Sequence, residues 1–466
     1  MAINPVSSYN AVTPDYSAMS IFSKPDDKGA EKSSSGMASD IAFNGFFSDT
    51  LPGIFTDKYK FASSQEKAMY KELSGVLQGK DKANFEILYK TGRLQNKASN
   101  DGSSTIQNLY NIYKKPRVQG LDNRRLLSET VERLANPFVI NQKFGTIPTD
   151  IANGLLVQRA QNATPNTPPN EPKTLGDMQI QNSASCVAAS IEFSLADKRP
   201  AEFARFVEGL SSPEMLVVQN VKYENLNKSI VDALHLLNMF NVKPENPDWK
   251  AANVKISPDR DAIIRARVQN TKADTPSDGK HSRASVDVLL QSAFMQLGSQ
   301  NTYNSLTDKR YGSLNSKDTG LTEFEKTFVE SVVGNDGEKT SVVYQNVDGD
   351  TLKGYFHPAD VVQKNIIDTL ASNRNVIIGI TETDDNKKII GGHEITIVGS
   401  KLHNGELYFV CNDTDDDYVG SVEVRASDLI PKIHHAGIPV DVLGTQEEPD
   451  KNKELFKQLN GTKAAA

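Results

Sequence analysis

The 466-residue chain has few cysteines, no long apolar runs and no excess of basic residues, and each shortage excludes a class of protein. Two cysteines in so long a chain argue against a disulfide framework and favour a reducing compartment. No apolar run approaches the ~18 residues of a membrane-spanning helix, so we expect no membrane span. With 52 basic and 59 acidic residues, the net charge of −7 provides no general field for recruiting nucleic acid.

The N-terminus lacks the pattern of a secretory signal. Residues 1–45 are rich in Ser, Asp, Lys and Ala, without a charged segment followed by an apolar one. This composition predicts a disordered leader. A cytoplasmic location is therefore the default prediction, and non-classical export stays open because composition does not separate an export signal from a plain tail.

The remaining chain divides into regions of different composition. Residues 46–160 contain several apolar patterns of helical period. Residues 161–176 form a Pro-rich stretch that is typical of a linker. We predict one larger domain over residues 177–444 and a polar tail over residues 445–466.

A polar, turn-prone segment at residues 179–190 contains the first cysteine. It leads into Cys186, after which Val187, Ile191 and Leu195 recur at helical spacing. This pattern places Cys186 in the first turn of a helix, after serines that could cap it. A thiol there lies at the positive end of the helix dipole, which favours the nucleophilic thiolate. Free cysteine is nevertheless most often a buried structural residue, so the pattern alone is weak.

Two strands far downstream add a histidine and an asparagine. Residues 391–399 predict an apolar strand that His393 opens, and residues 407–413 predict the next strand, which ends on Asn412. A helix over residues 361–372 and a buried strand over residues 375–381 precede the histidine. A cysteine at a helix start, then a distant histidine, then an asparagine at a strand end, is the papain-type order.

On these motifs the chain resembles the papain-like cysteine peptidases, including the related bacterial C39-like branch. The resemblance implies an α+β fold with two lobes, one helical and one an antiparallel sheet, with an additional helical N-terminal region. It also implies roles for three residues: Cys186 as nucleophile, His393 as its base, and Asn412 as the residue that orients the imidazole. Asp413 is the second choice for the orienting role.

The sequence departs from the family pattern in two places. The family's oxyanion glutamine stands six residues before the cysteine, where this chain has Ile180; Gln181 is therefore the first choice and Gln179 the second. The cysteine and the histidine are 207 residues apart, against ~130–150 in papain-like enzymes. We expect a helical insertion between Cys186 and His393 to house the difference.

The resemblance implies hydrolysis of peptide or isopeptide bonds through a thioacyl enzyme, with a protein or peptide as the substrate and no cofactor. Two alternatives remain open: acyl transfer or deamidation by the same triad, and an inactive papain-like fold that binds proteins. The N-terminal region is predicted to be either a propeptide that covers the cleft or an adaptor domain. The acidic run at residues 413–417 resembles a calcium loop, but Tyr418 and Val424 occupy positions where that loop needs Gly and Glu, so no metal site is predicted.

Overall fold

The structure is a computed structural model, and it describes residues 60–226, 250–269, 282–311, 320–416 and 418–443. Several sequence predictions lie outside the described residues: the leader at 1–45, a helix expected over 227–240, most of a polar loop expected over 270–283, and the tail at 445–466.

Most of the described helices precede the sheet in the chain, and several begin at a residue whose side chain caps the first turn. Ser104 and Thr322, for example, each form a capping box with the residue three positions on. The described helices are α1 Ser64–Val76, α2 Gly79–Lys90, α3 Thr105–Lys114, α4 Asn123–Ala135, α5 Thr149–Gln161, α6 Cys186–Lys198, α7 Pro200–Leu210, α8 Ala262–Val268, α9 Ser285–Gly298, α10 Glu323–Gly334, α11 Ala359–Ala371, α12 Ala426–Leu429 and α13 Val440–Leu443.

The strands concentrate in the last third of the chain. They are β1 Val217–Lys222, β2 Ala251–Ile256, β3 Lys339–Val343, β4 Gln345–Asp348, β5 Thr351–Tyr355, β6 Val376–Thr383, β7 Ile389–His403, β8 Glu406–Asn412, β9 Val422–Arg425 and β10 Ile433–Pro439. Six of them form one antiparallel sheet in the order β3-β10-β6-β7-β8-β9. Helices and an antiparallel sheet in one chain fit the predicted α+β class.

The helices of the N-terminal region share a hydrophobic core with the cysteine helix. Side chains of α1 to α4 such as Leu73 and Leu127 belong to the same buried cluster as Val187 of α6 and Phe294 of α9. A second cluster, which includes Ile395 and Cys411, fills the space between the sheet and α11. Residues 64–135 therefore pack as part of the body of the protein and have no separate core of their own among the described residues.

The Pro-rich stretch predicted as a linker is only partly exposed. Residues 162–167 are exposed, but Asn170 and Glu171 are buried. Asn170 donates a 2.9 Å hydrogen bond to the carbonyl of Thr302, and Glu171 forms an ion pair with Arg260. Polar side chains can be buried when they find such partners, and composition alone does not reveal the partners.

A buried charge cluster joins the helical part of the chain to the sheet. Nζ of Lys326 on α10 lies 3.3 Å from Oε2 of Glu394 on β7, and Nε2 of His435 on β10 lies 2.9 Å from the other Glu394 oxygen. Burial raises the pKa of Glu394, but Lys326 first and His435 second outweigh this effect and hold it at about 2. Among the described residues, no helix combines the length and the apolar character that crossing a membrane requires.

Candidate active site

Cys186 is the first residue of α6, as the sequence predicts, and is buried. The serine cap expected before it does not form, because Ser185 at the N-cap makes no side-chain bond to the first turn. Instead the hydroxyls of Ser183 and Ser185 lie 2.7 Å apart, and both accept hydrogen bonds from the buried guanidinium of Arg283. The first-turn N–H groups therefore have no side-chain cap, and the positive end of the helix lies at the cysteine.

His393 lies in β7 opposite Ile380 of β6 and is only 2% exposed. Its Nε2 lies 2.7 Å from Oδ1 of Asp413. Cys186 acts on the same ring through a side-chain hydrogen bond and through its charge, and both raise the pKa of His393. The thiol of Cys186, the imidazole of His393 and the carboxylate of Asp413 thus form a hydrogen-bonded series, which we call the row.

The surroundings of His393 favour a protonated ring. Burial is the largest influence on its pKa and lowers it, but the Asp413 charge, the Asp413 hydrogen bond and Cys186 all act in the opposite direction. Together they raise the pKa of His393 well above its usual range. An imidazolium beside a thiol stabilises the thiolate, which is the form that attacks carbonyl carbons.

The residue that holds His393 is Asp413, the second choice from the sequence, and not Asn412. Asn412 is the last residue of β8, where it pairs with Thr396, and neither atom of its buried side-chain amide has a hydrogen-bond partner among the described residues. Asp413 is the first residue after the strand, and its Oδ1 also accepts a 2.8 Å hydrogen bond from the N–H of Asp415. Because the chain turns there, the carboxylate and not the amide reaches the ring.

The two candidate oxyanion glutamines line a surface cleft whose lining includes none of the three residues of this row. Gln179 and Gln181 are both exposed and line a cleft of about 410 Å³ together with Phe144, Ile147 and Met178. Within the described parts of the chain, neither glutamine side chain bonds to the cysteine, the histidine or the aspartate. The backbone N–H of Cys186 is the one predicted oxyanion donor that the fold places at the thiol.

Cys411, the other cysteine, is a free thiol in the core of the sheet. It is fully buried, and its Sγ lies 3.8 Å from the carbonyl of Phe409. Burial, with a smaller contribution from Asp413, raises the pKa of this thiol far above its usual range. A thiol with a raised pKa and no exposure is a poor nucleophile.

Sequence reasoning missed a segment of the N-terminal region that contacts both sides of the site. We call residues 140–147, an irregular segment between α4 and α5, the strap. Its Gln142 accepts a 2.8 Å bond from the hydroxyl of Thr414, next to Asp413, and its Nε2 lies 3.5 Å from the carbonyl of Ser183, three residues before Cys186. A lone glutamine 44 positions before the cysteine carries no motif that could have identified it.

The site is closed. Cys186 is 1% exposed and His393 2%, so an extended substrate reaches the thiol only if part of the surrounding structure moves. The strap contacts the loops on both sides of the pair, and the choice between a propeptide and an adaptor domain for residues 46–160 stays a prediction. It is joined to the rest of the protein without a break between α4 and α5.

Among the described residues, no group of three or more His, Cys, Asp or Glu side chains is arranged to hold a metal ion. In the acidic run that resembles a calcium loop, Asp413 bonds to the imidazole of His393, and the fifth residue lies outside the described ranges.

In comparisons with protein-family models, with curated proteins and with solved structures, the chain matched none.

Proposed function

We propose that the chain is a papain-like cysteine peptidase that hydrolyses peptide or isopeptide bonds through a thioacyl enzyme. The observation that carries this proposal is the row of Cys186, His393 and Asp413, buried and hydrogen-bonded at the start of a helix. A single buried cysteine is ordinary in a protein core, but a cysteine joined to an imidazole that a carboxylate holds is an activated nucleophile.

The reaction follows from the roles these atoms can take. The Cys186 thiolate attacks the substrate carbonyl carbon, and the backbone N–H of Cys186 stabilises the oxyanion that forms. The His393 imidazolium then gives its proton to the leaving amine, which leaves a thioester on Cys186. A water molecule, deprotonated by His393, attacks the thioester and releases the acid, which restores the thiol. Gln181 as a second oxyanion donor stays a prediction.

The arrangement of elements supports the papain-like, two-lobed part of the proposal. The nucleophile comes from a helix packed among helices, whereas the histidine and the aspartate come from the antiparallel sheet. The site thus lies where a helical part and a sheet part of the chain meet. Helices α7 to α10 lie between Cys186 and His393 in the chain, which supports the expectation of a helical insertion there.

The second candidate is a protein-binding module that has kept the fold without the chemistry. The closed site and the outward position of both glutamines favour it. Acyl transfer or deamidation remains an alternative within the enzyme class, because the same thioacyl intermediate can be captured by an amine or formed from a side-chain amide. We place the protein in a reducing compartment, in which Cys186 stays a thiol.

The test combines labelling with turnover. Wild type, Cys186→Ser and His393→Ala are treated with iodoacetamide at pH 6, and the labelled cysteine is identified by mass spectrometry. Hydrolysis of a mixed fluorogenic peptide library and of an isopeptide-linked substrate is measured in parallel. We expect wild type to label at Cys186 and to hydrolyse at least one substrate class, and both variants to lose these properties. A wild-type Cys186 no more reactive than a free thiol would overturn the enzyme proposal in favour of the binding module.

A further inference from the structure

The two loops that carry the reactive groups have a common partner in Gln142. The loop at residues 183–185 precedes the nucleophile, and the loop at residues 413–415 contains the carboxylate. These loops belong to different parts of the fold, one leading into α6 and the other leaving β8. The thiol can meet the imidazole only if the two loops keep a fixed separation.

Gln142 contacts both loops with its side chain and one of them with its backbone. Its N–H donates a 3.1 Å bond to the carbonyl of Thr414, and its Oε1 accepts the 2.8 Å bond from the hydroxyl of the same residue. Its Nε2 points to the carbonyl of Ser183 at 3.5 Å. The side chain is 2% exposed, so these contacts form in a low-dielectric interior, where hydrogen bonds are strong and their loss is costly.

A buried arginine fixes Gln142 in turn. Nε of Arg283 donates a 2.7 Å bond to the Gln142 carbonyl, and its Nη2 donates to the hydroxyls of Ser183 and Ser185. The ring of Phe144, two residues along the strap, packs 3.6 Å from the guanidinium carbon of Arg283. One cation therefore holds the strap and the nucleophile loop together.

We propose that Gln142 is a positioning residue of the thiol site, and that the strap is a permanent wall of that site and not a cover removed on activation. This inference rests on the proposed cysteine chemistry. Gln142 touches neither the thiol nor the imidazole in any described contact; it acts through Thr414 and Ser183. Without its side-chain bonds, Gln142 is joined to the Asp413 loop by its backbone N–H alone and to the nucleophile loop through Arg283 alone, so the distance between sulfur and imidazole is less tightly fixed.

The test compares two buried glutamines. Gln142→Met keeps the volume and removes both side-chain bonds. The matched control is Gln291→Met. Gln291 is also fully buried, and its side chain bonds to Asn141 of the strap and to Glu192. It has no described bond to the loops at residues 183–185 and 413–415. Thr414→Val is a second, independent variant that removes the hydroxyl donor to Gln142 while keeping the side-chain shape.

The measurement is the rate of iodoacetamide labelling at Cys186 from pH 4 to 9, with thermal unfolding recorded for every protein. We expect Gln142→Met and Thr414→Val to label about 10- to 10²-fold more slowly near pH 6, because small displacements in a preorganised site have effects of this size. Their labelling should also require higher pH. The Gln291→Met variant should keep the wild-type pH profile even when its unfolding temperature falls equally.

Two results overturn the inference and are distinguishable from each other. If wild-type Cys186 is reactive at pH 6 and the Gln142→Met and Thr414→Val profiles match that of Gln291→Met, the positioning role is wrong and the proposed function stands. If wild-type Cys186 is no more reactive than an ordinary thiol, the proposed function fails and the positioning role fails with it.

Discussion

Asp413 and Asn412 are neighbours with different contacts. Replacing each of them in turn tests which residue orients His393. Asp413→Asn keeps the size of the side chain but removes the charge that faces Nε2 of His393 at 2.7 Å. Asn412→Ala removes an amide that makes no hydrogen bond among the described residues. We expect the first change to abolish the special reactivity of Cys186 and the second to leave it close to wild type.

The size of the effect follows from the charges. Two unit charges about 4 Å apart interact by about 4 kcal/mol at an effective dielectric constant of 20. At about 1.4 kcal/mol per factor of ten, losing this interaction changes the population of the thiolate–imidazolium pair by up to about 10³-fold. Burial lowers the pKa of His393, and without the Asp413 charge only Cys186 opposes that effect, so the thiolate loses the partner that favours it. The labelling rate at pH 6 should fall by about 10²- to 10³-fold.

The assay is the iodoacetamide rate of each variant between pH 4 and 9. Because the pKa of His393 is raised, its imidazolium persists through neutral pH. Labelling of the wild type should therefore extend to acid pH. In Asp413→Asn the profile should move toward that of an ordinary thiol, with rates rising only near pH 8 to 9. A large loss in Asn412→Ala with no loss in Asp413→Asn would refute the assignment and restore Asn412 to the orienting role.

Three further predictions concern the rest of the fold. Cys411→Ala should keep Cys186 labelling and any hydrolysis, because its thiol is buried in the sheet core; loss of both in a folded variant would mean that the wrong nucleophile was chosen. Lys326→Met should lower the free energy of unfolding in urea by about 3–5 kcal/mol, because it leaves Glu394 as a buried charge without its lysine. The control, Lys364→Met, breaks an exposed pair on α11 and should change it by less than about 1 kcal/mol; equal effects would contradict the burial argument. Deletion of residues 60–160 should give a protein that does not fold cooperatively, since α1 to α4 share the core of α6; a folded, more active product would support the propeptide role instead.

The local patterns in the sequence predicted much of the secondary structure. Capping residues such as Thr322 and the run of apolar residues at 376–380 gave helix starts and the central strand within about two residues. These predictions succeed because caps and periodicity are local properties of the chain. The same locality placed Cys186 at a helix start and His393 in a strand.

The details of the site depend on contacts that are not local. The choice between Asn412 and Asp413 turns on where β8 ends, and a shift of one residue reverses the direction of a strand side chain. Gln142 reaches Thr414 across 272 positions of sequence, and no motif marks either residue. The buried Asn170 likewise depends on a carbonyl 132 residues away. Single-sequence patterns contain no information about such pairs.

The strap also has a consequence for the order of events during synthesis. Residue 142 leaves the ribosome first, Cys186 follows, and Thr414, which Gln142 must meet, comes more than 220 residues after the cysteine. At about 5–20 residues per second, that interval is roughly 10 to 50 seconds. Throughout it the nascent chain has the thiol but neither His393 nor Asp413 folded against it. Under the proposed function, the nascent chain therefore has no activated nucleophile until the sheet is synthesised, because the long separation of the site residues in the sequence delays assembly of the site.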